Sequence, residues 1–382
     1  MILLKTTKEK LLMPLRAISK IVERKHTKPI LANVLIRKAG RMIELTTSDE
    51  EVQLRTQLDL DGDNISFATT VAAGKLIEIL QSMPEDQIIS LSAKENKLIL
   101  QGGKSRFTLQ TLSSEDFPIV NEAPDFGPLF SLPQKTLKKL INQVHFAMAV
   151  EDIRYYFKGI LFVAEGHDLT LVATDGHRLA LARGTVDCDI PRQQVILPRK
   201  TVLELQRLLR DSEKSPDKGT QLATEDQTII KMQFAANQAK FSFSGIEFVS
   251  KLVEGKFPDY NRVIPKDYQN QFTLSRTLLL SSLQRVSILT SEKFKGIRMN
   301  IEPGLLSVAS SNAEQEEAKE EIDIDYSGDP IEIGFNVPYL IDPLSHMGCD
   351  MITVSLKDTH SGALMTIPED EGFSYVVMPM RI

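Results

Sequence analysis

Cysteine is almost missing from this chain. Cys188 and Cys349 are the only two in 382 residues, and neither has a second cysteine at ligand spacing. That pattern excludes a disulfide scaffold and a structural zinc site and fits a reducing compartment. Long apolar runs are missing too: no window approaches the roughly 18 apolar residues that a membrane-crossing helix needs. The apolar start Met1-Ile2-Leu3-Leu4 gives way at once to Lys5 and a Lys/Glu stretch, without the cleavage site of a signal peptide. The chain therefore reads as cytoplasmic. The six histidines are scattered with none at i,i+4, and there is no Gly-x-Ser-x-Gly, Walker A loop or dinucleotide fingerprint. No metal or cofactor is expected. Finally, there is no excess of positive charge: 45 Lys and Arg stand against 51 Asp and Glu, a net −6. Taken alone, that balance argues against a nucleic-acid binder, because phosphate must be neutralised by cations.

What is present is a repeat of domain size. Residues 11–22, 132–144 and 274–286 each read as an amphipathic helix. In the last two, apolar residues recur at i, i+3 or i+4, and i+7, with Pro133 and Ser275 as start signals. Pro14 fits its segment less well. A second helix is predicted about 60 residues after each, over 71–80, 197–209 and 337–344, the last interrupted by Pro343 and so expected to be short. Between the helices of each set a strand runs into a polar turn, at 43–49, 169–175 and 305–312; Asp175-Gly176 is a favoured two-residue turn. Alternating strands close each set at 106–112, 240–244 and 375–382. This order predicts an α+β chain of three copies of one domain, at 1–126, 127–268 and 269–382.

Charge is unevenly distributed over that plan. Counted with their flanking turns, over 8–25, 71–83, 134–148, 198–210, 275–289 and 337–347, the six helical segments carry a net +11, which leaves −17 for the rest of the chain. Basic helices on an acidic protein fit one shared surface facing a polyanion. Twelve helices packed about 10 Å apart in a closed circle would leave a hole of roughly 28 Å, wide enough for duplex DNA, whereas six would leave roughly 9 Å. One chain supplies six helices, so a head-to-tail homodimer is the simplest closed ring. Its ends would be the acidic run Glu314, Glu316, Glu317, Glu320, Glu321 and the basic pair Lys104, Arg106 on an expected edge strand.

Four segments carry a resemblance that runs through the whole chain: Ala173-Thr174-Asp175-Gly176-His177-Arg178-Leu179-Ala180, Phe257-Pro258-Asp259-Tyr260, Ile333-Gly334-Phe335-Asn336 and the terminal Tyr375-Val376-Val377-Met378-Pro379-Met380-Arg381-Ile382. With these in this order the sequence resembles the bacterial DNA polymerase III beta subunits, the beta sliding clamps. The resemblance implies a DNA-encircling homodimer of three clamp domains per chain, helices inside and antiparallel sheets outside, without catalysis of its own. Implied partners are double-stranded DNA without sequence preference, a second copy, the replicative polymerase, the clamp loader, and other polymerases and repair proteins that dock through short peptide motifs.

The resemblance further implies a partner-peptide pocket of Thr174, Gly176, His177, Arg178, Leu179, Pro258, Arg262, Val263, Asn336, Tyr339, Val376, Val377, Met378, Pro379, Met380 and Arg381. Adaptable methionines suit a groove that accepts different peptides. Phe157, His360 and Gly362 depart from the family pattern near it. For DNA it points to Lys25, Arg154, Tyr155 and Tyr156, with Lys200 from the basic helices, contacting phosphates rather than bases. The expected dimer interface is Lys75, Lys104, Arg106, Ile288, Leu289, Glu314, Glu316 and Glu317. Two other readings compete: an acid–base enzyme built on Asp175 and His177, and a solitary peptide-binding scaffold that does not encircle DNA.

Overall fold

The computed structural model describes residues 2–22, 28–59, 66–211, 228–266, 268–291, 295–368 and 370–381. The chain divides into two compact units: Met1–Lys135 with Arg207–Leu252, and Thr136–Gln206 with Val253–Ile382.

Six α-helices lie where the repeat predicts them: α1 Lys8–Ile18, α2 Ala73–Ser82, α3 Gln134–Val144, α4 Arg199–Leu208, α5 Arg276–Val286 and α6 Val337–His346. In α3 the apolar stripe Leu137, Leu140, Ile141 and Val144 is buried, so burial of one face holds the helix against an otherwise polar composition. In α5, Ser275 is the N-cap and its hydroxyl accepts from the Leu278 N–H at 3.4 Å. Two expectations need correction. Helix α1 begins three residues before Leu11 and carries Pro14 inside it, because the Lys10 carbonyl deprived of a donor belongs to a solvent-exposed residue. Helix α6 is not cut short by Pro343 and runs on to His346. Pro343 offers no N–H to the Tyr339 carbonyl, but the Tyr375 hydroxyl donates to that oxygen at 2.5 Å.

In the first unit, twelve strands form one sheet. Its order is Ile2–Thr7, Ile88–Lys94, Lys97–Gly102, Ser105–Leu112, Phe67–Ala72, Asn33–Ala39, Met42–Ser48, Val52–Asp59, Ile246–Lys251, Gln238–Phe243, Ile229–Phe234 and Phe130–Pro133. Helices α1 and α2 pack on each other and on this sheet. One weak seam is built in. Strand Ser105–Leu112 pairs with Lys97–Gly102 along its length, but meets Phe67–Ala72 only at Thr111 and Leu112. Its first six residues therefore present an open edge.

The second unit holds a six-stranded sheet, in the order Gly159–Thr174, Arg178–Pro198, Asp370–Val377, Ala363–Ile367, Met351–Leu356 and Asn270–Ser275. It also holds a four-stranded sheet of Glu317–Asp323, Leu305–Ser311, Gly296–Glu302 and Ile331–Asn336. The long hairpin Gly159–Thr174/Arg178–Pro198 bends at register shifts around Gly166. Only its turn end, Arg178 to Ala182, pairs with the C-terminal strand, against Val377 to Phe373. That pairing sets the hairpin turn beside the end of the chain. The C-terminal strand stops at Val377 rather than running to the last residue, since Pro379 has no N–H for a ladder. Beyond it the chain is still pinned, by Met378 N–H to the His177 carbonyl and Met380 N–H to the Gly334 carbonyl, both 2.9 Å.

Candidate functional site

The hairpin turn is longer than a two-residue Asp175-Gly176 turn, because Thr174 pairs with Leu179 and leaves four residues between them. The Asp175 carboxylate organises it, accepting from the N–H groups of His177 (2.9 Å) and Arg178 (3.1 Å). The Thr174 hydroxyl donates to the Arg178 carbonyl at 2.6 Å and accepts from the Gly176 N–H at 3.1 Å. Gly176 sits at φ +90°, where a side chain would be strained, and a Cβ there would lie 3.1 Å from the Arg154 guanidinium. The Asp175 carboxylate is thus engaged by backbone and by Arg178, while the His177 ring stacks beside Tyr339 at 6.2 Å. The acid–base pairing that an enzyme would need is not made.

Arg178 fastens this turn to α6. Its side chain is only 9% exposed, and its guanidinium donates to Asp175 (3.1 Å), Asp342 (2.5 Å) and the Phe146 carbonyl (2.8 Å). It also lies 4.4 Å from the Tyr339 ring centroid. Burial works against its charge, but Tyr375, Asp342 and Asp175 outweigh burial and raise its pKa. The Tyr339 phenol is held above its usual range by burial and by Asp175. All three donating directions of a planar fork are used here, which a lysine could not reproduce.

In front of this anchor lies a groove of about 540 Å³. Its floor is Phe157, Leu179, Phe257 and Val376, on a core cluster with Leu161, Val172, Leu181 and Ile196. Ten of the expected pocket residues line it: Thr174, Gly176, His177, Arg178, Leu179, Pro258, Arg262, Val263, Val376 and Met378. The other six are not on its wall. Val377 is buried in the sheet, Tyr339 stands behind Arg178, and Asn336 occupies the N-cap position of α6 without a side-chain capping bond, its Oδ1 buried and unpartnered among the described residues. Pro379, Met380 and Arg381 continue the pinned tail past the groove. Sequence reasoning missed Lys266 and Lys357, which line the groove from loops with no local motif. Of the departures, Phe157 and Gly362 line it, but His360 does not; its N–H donates to Asp358.

The DNA candidates differ in exposure and in partners. Lys25 lies outside the described residues. Arg154 is committed: its guanidinium makes two bonds to Asp152, at 2.9 and 2.8 Å, and lies 4.4 Å from the Phe157 ring centroid. That pairing, chiefly its side-chain hydrogen bonds, holds the Asp152 carboxyl well below the usual range. Tyr155 is 70% exposed, next to Ile153 at 92%, whereas Tyr156 packs on the groove's core cluster. Lys200 is half-buried in the first turn of α4.

The interface candidates fall on exposed features of each unit. Lys75, Lys104 and Arg106 are exposed in the first unit, the last two at the open strand edge. In the second unit, Glu317–Asp323 is the end strand of its sheet, and Glu314, Glu316, Glu317 and Ile288 are exposed while Leu289 is half-buried. Not all of the acidic run is available. Glu320 is bound by Arg285, at 2.5 and 2.9 Å, and Glu321 by Lys319 at 2.6 Å. Glu316 accepts from Asn312 at 2.6 Å. No helix of the described residues is long and apolar enough to cross a membrane.

Three models of the DNA polymerase III beta subunit match in succession: the N-terminal domain over 2–121, the central domain over 131–259 and the C-terminal domain over 261–381. The chain is 42% identical to the beta sliding clamp of Pseudomonas aeruginosa over 379 residues and 37% identical to that of Escherichia coli over 375, covering 98% of both chains in each case. Among solved structures, the griselimycin-bound DnaN sliding clamp of Pseudomonas aeruginosa superposes with a TM-score of 0.90 at 40% identity over 100% of both chains. The Caulobacter crescentus polymerase III beta gives 0.88 at 32%, covering 99% of this chain and 100% of the other. Whole-length matches of this kind, on a chain whose turn, anchor and tail build one groove, place it in the DNA polymerase III beta subunit family, the beta sliding clamps.

Proposed function

We propose that two copies of this chain close head to tail into a ring around duplex DNA and tether the replicative polymerase and other replication and repair proteins, without catalysing a reaction. Membership of the clamp family carries the ring, and one observation carries the tether. A preformed apolar groove is walled by a hairpin turn and by the chain's own end, which Met378 N–H bonds to the His177 carbonyl. Concave apolar sites with a few fixed polar groups are where short peptides dock. Asp175 is spent on the turn and on Arg178 rather than on the His177 ring. The working division is three domains, at 1–126, 127–268 and 269–382.

The two exposed strand edges suit the dimer. Ser105–Leu112 offers unpaired backbone beside Lys104 and Arg106, and Glu317–Asp323 offers it beside Glu314 and Glu317. Open edges are templates for strand addition, and opposite charges set the partner and register. The deciding experiment loads the chain onto nicked circular duplex DNA with a clamp loader and then cuts the circle. A topological ring is retained on the circle and lost on linearisation. Equal retention on both forms would leave only ordinary binding, and the solitary-scaffold reading would then stand.

A further inference from the structure

Residues 122–130 lie between the stretch matched by the N-terminal domain and the stretch matched by the central domain. Linkers between domains are ordinarily exposed and make few contacts, so that relative motion is the default. This one is fastened. Gln53, Val249, Lys240 and Gln233 are successive register partners in four adjacent strands of the first unit's sheet, and the chain from Val120 to Gly127 is bonded along that row. The Val120 N–H donates to the Gln53 side-chain oxygen at 3.0 Å. Glu122 accepts from Arg55 at 2.8 Å and from Lys240 at 2.7 Å. Gln238 holds the backbone on both sides of Glu122: its Oε1 accepts from the Ala123 N–H at 2.9 Å, and its Nε2 donates to the Asn121 carbonyl at 2.8 Å. At the far end the Gly127 N–H donates to the Phe234 carbonyl at 2.8 Å, and the Gly127 carbonyl accepts from Gln233 at 3.1 Å.

Placement decides what these bonds do. Gln53 and Arg55 belong to the N-terminal domain, and Gln233, Gln238 and Lys240 to the central domain. The strands of the two domains meet where 52–56 pairs with 246–250. Ladder hydrogen bonds point across such a seam and leave it free to bend about the strand direction. A chain laid across the strands and bonded on both sides of the seam resists that bend. Gln53 and Gln238 are buried, so the linker groups they satisfy have no water to turn to if the contact opens. Phe117 and Val120, at the start of the crossing, are buried as well. We infer that residues 117–127 are a strap that locks the N-terminal domain onto the neighbouring strands of the central domain, so that the first unit moves as one rigid body when the ring opens, a reading that rests on the proposed ring. Flexure on opening then comes from elsewhere than this linker. The strap follows directly on Ser105–Leu112, so the candidate interface edge is carried by the same rigid body.

The test attaches nitroxides through Lys94→Cys and Lys231→Cys, both at exposed positions on either side of the seam, with Cys188 and Cys349 replaced by serine. Pulsed electron paramagnetic resonance reads the separation in labelled full-length chains diluted with unlabelled ones. The dimer is compared with the Lys104→Glu/Arg106→Glu chain, once light scattering shows that its interface is broken. With the strap intact, one narrow distance distribution is expected, the same in both. Gln53→Ala, Glu122→Ala and Gln238→Ala combined should broaden it in the broken-interface chain. Glu122→Ala alone, at a partly exposed site whose loss leaves the fold intact, should broaden it less. In the native chain the Val120, Ala123 and Gly127 amides should exchange with solvent as slowly as those of the strands they cross. A native distribution that shifts when the interface is broken, strap amides that exchange at loop rates, or strap variants that keep the native distribution would each overturn the inference. A native chain that is already monomeric at micromolar concentration would sink the ring reading instead, and the native and strap-variant distributions would still decide the strap.

Discussion

The Tyr375 hydroxyl donates to the Tyr339 carbonyl at 2.5 Å, supplying the proton that Pro343, four residues on, cannot. Tyr375 is fully buried, and burial pushes its phenol far above the usual range, so it stays a donor at any working pH. Tyr375→Phe therefore leaves a buried carbonyl unmet and should cost about 1–3 kcal/mol in urea denaturation. In a Pro343→Ala background the backbone N–H returns, and the same substitution should cost measurably less. Equal costs in the two backgrounds would show that the hydroxyl does not stand in for the missing donor.

Arg178 ties the hairpin turn to α6 through Asp175 and Asp342. Arg178→Met removes a buried cation and leaves its partners and the Phe146 carbonyl without their donor. Breaking a buried pair costs about 3–5 kcal/mol. Asp342 is partly exposed and can rehydrate, so about 2–3 kcal/mol is expected here. Adding Asp342→Asn should recover part of that loss. Strict additivity of the two substitutions would mean that the pair is not coupled.

These two residues also mark where sequence reading stops. Helices α3 and α5 were legible because a buried stripe repeats at helical spacing and because Ser275 is a local cap. The turn, too, was legible as a turn, although not its length, which Asp175 sets by capping two N–H groups. The persistence of α6 through Pro343 was not legible, because the rescuing hydroxyl lies 36 residues away. Arg178 and Asp342 are separated by 164 residues, and no periodicity announces such a pair. Lys266 and Lys357 belong to the groove only because separate loops converge on it. Conversely, Arg154, a DNA candidate by resemblance, is held by Asp152 two residues before it.

His145 provides a pH dependence of known sign. Its Nδ1 lies 3.2 Å from the Ile141 carbonyl, its Nε2 lies 3.2 Å from the Gln206 amide nitrogen, and the His346 ring stands edge-on at 4.8 Å. Burial first, then the neighbouring His346 and Arg199, lower its pKa below the ordinary 6.5. The unfolded chain then takes up a proton near pH 6.5 that the folded chain resists. Its contribution to stability is complete above that pH and is lost as pH falls towards the folded value. Thermal melting should drop as pH falls below about 6.5, and His145→Gln should flatten that drop. A native profile that is flat, or that falls with rising pH, would contradict the assignment.

The dimer interface makes the most demanding prediction, because it depends on which acids are free. Lys104→Glu with Arg106→Glu should convert a species of about twice 42.8 kDa into one of 42.8 kDa at micromolar concentration, read by light scattering. Like charges facing each other across the strand edges destabilise the pairing and its register. Glu314→Lys with Glu317→Lys should do the same alone and should restore the dimer when all four changes are combined. Glu320→Lys should not restore it, because Arg285 already holds that carboxylate, and reversing it sets two cations together on α5 and its neighbouring strand. A four-fold variant that stays monomeric would remove these residues from the interface. A dimer that survives the first pair of changes would show that backbone pairing, not charge, holds the ring closed.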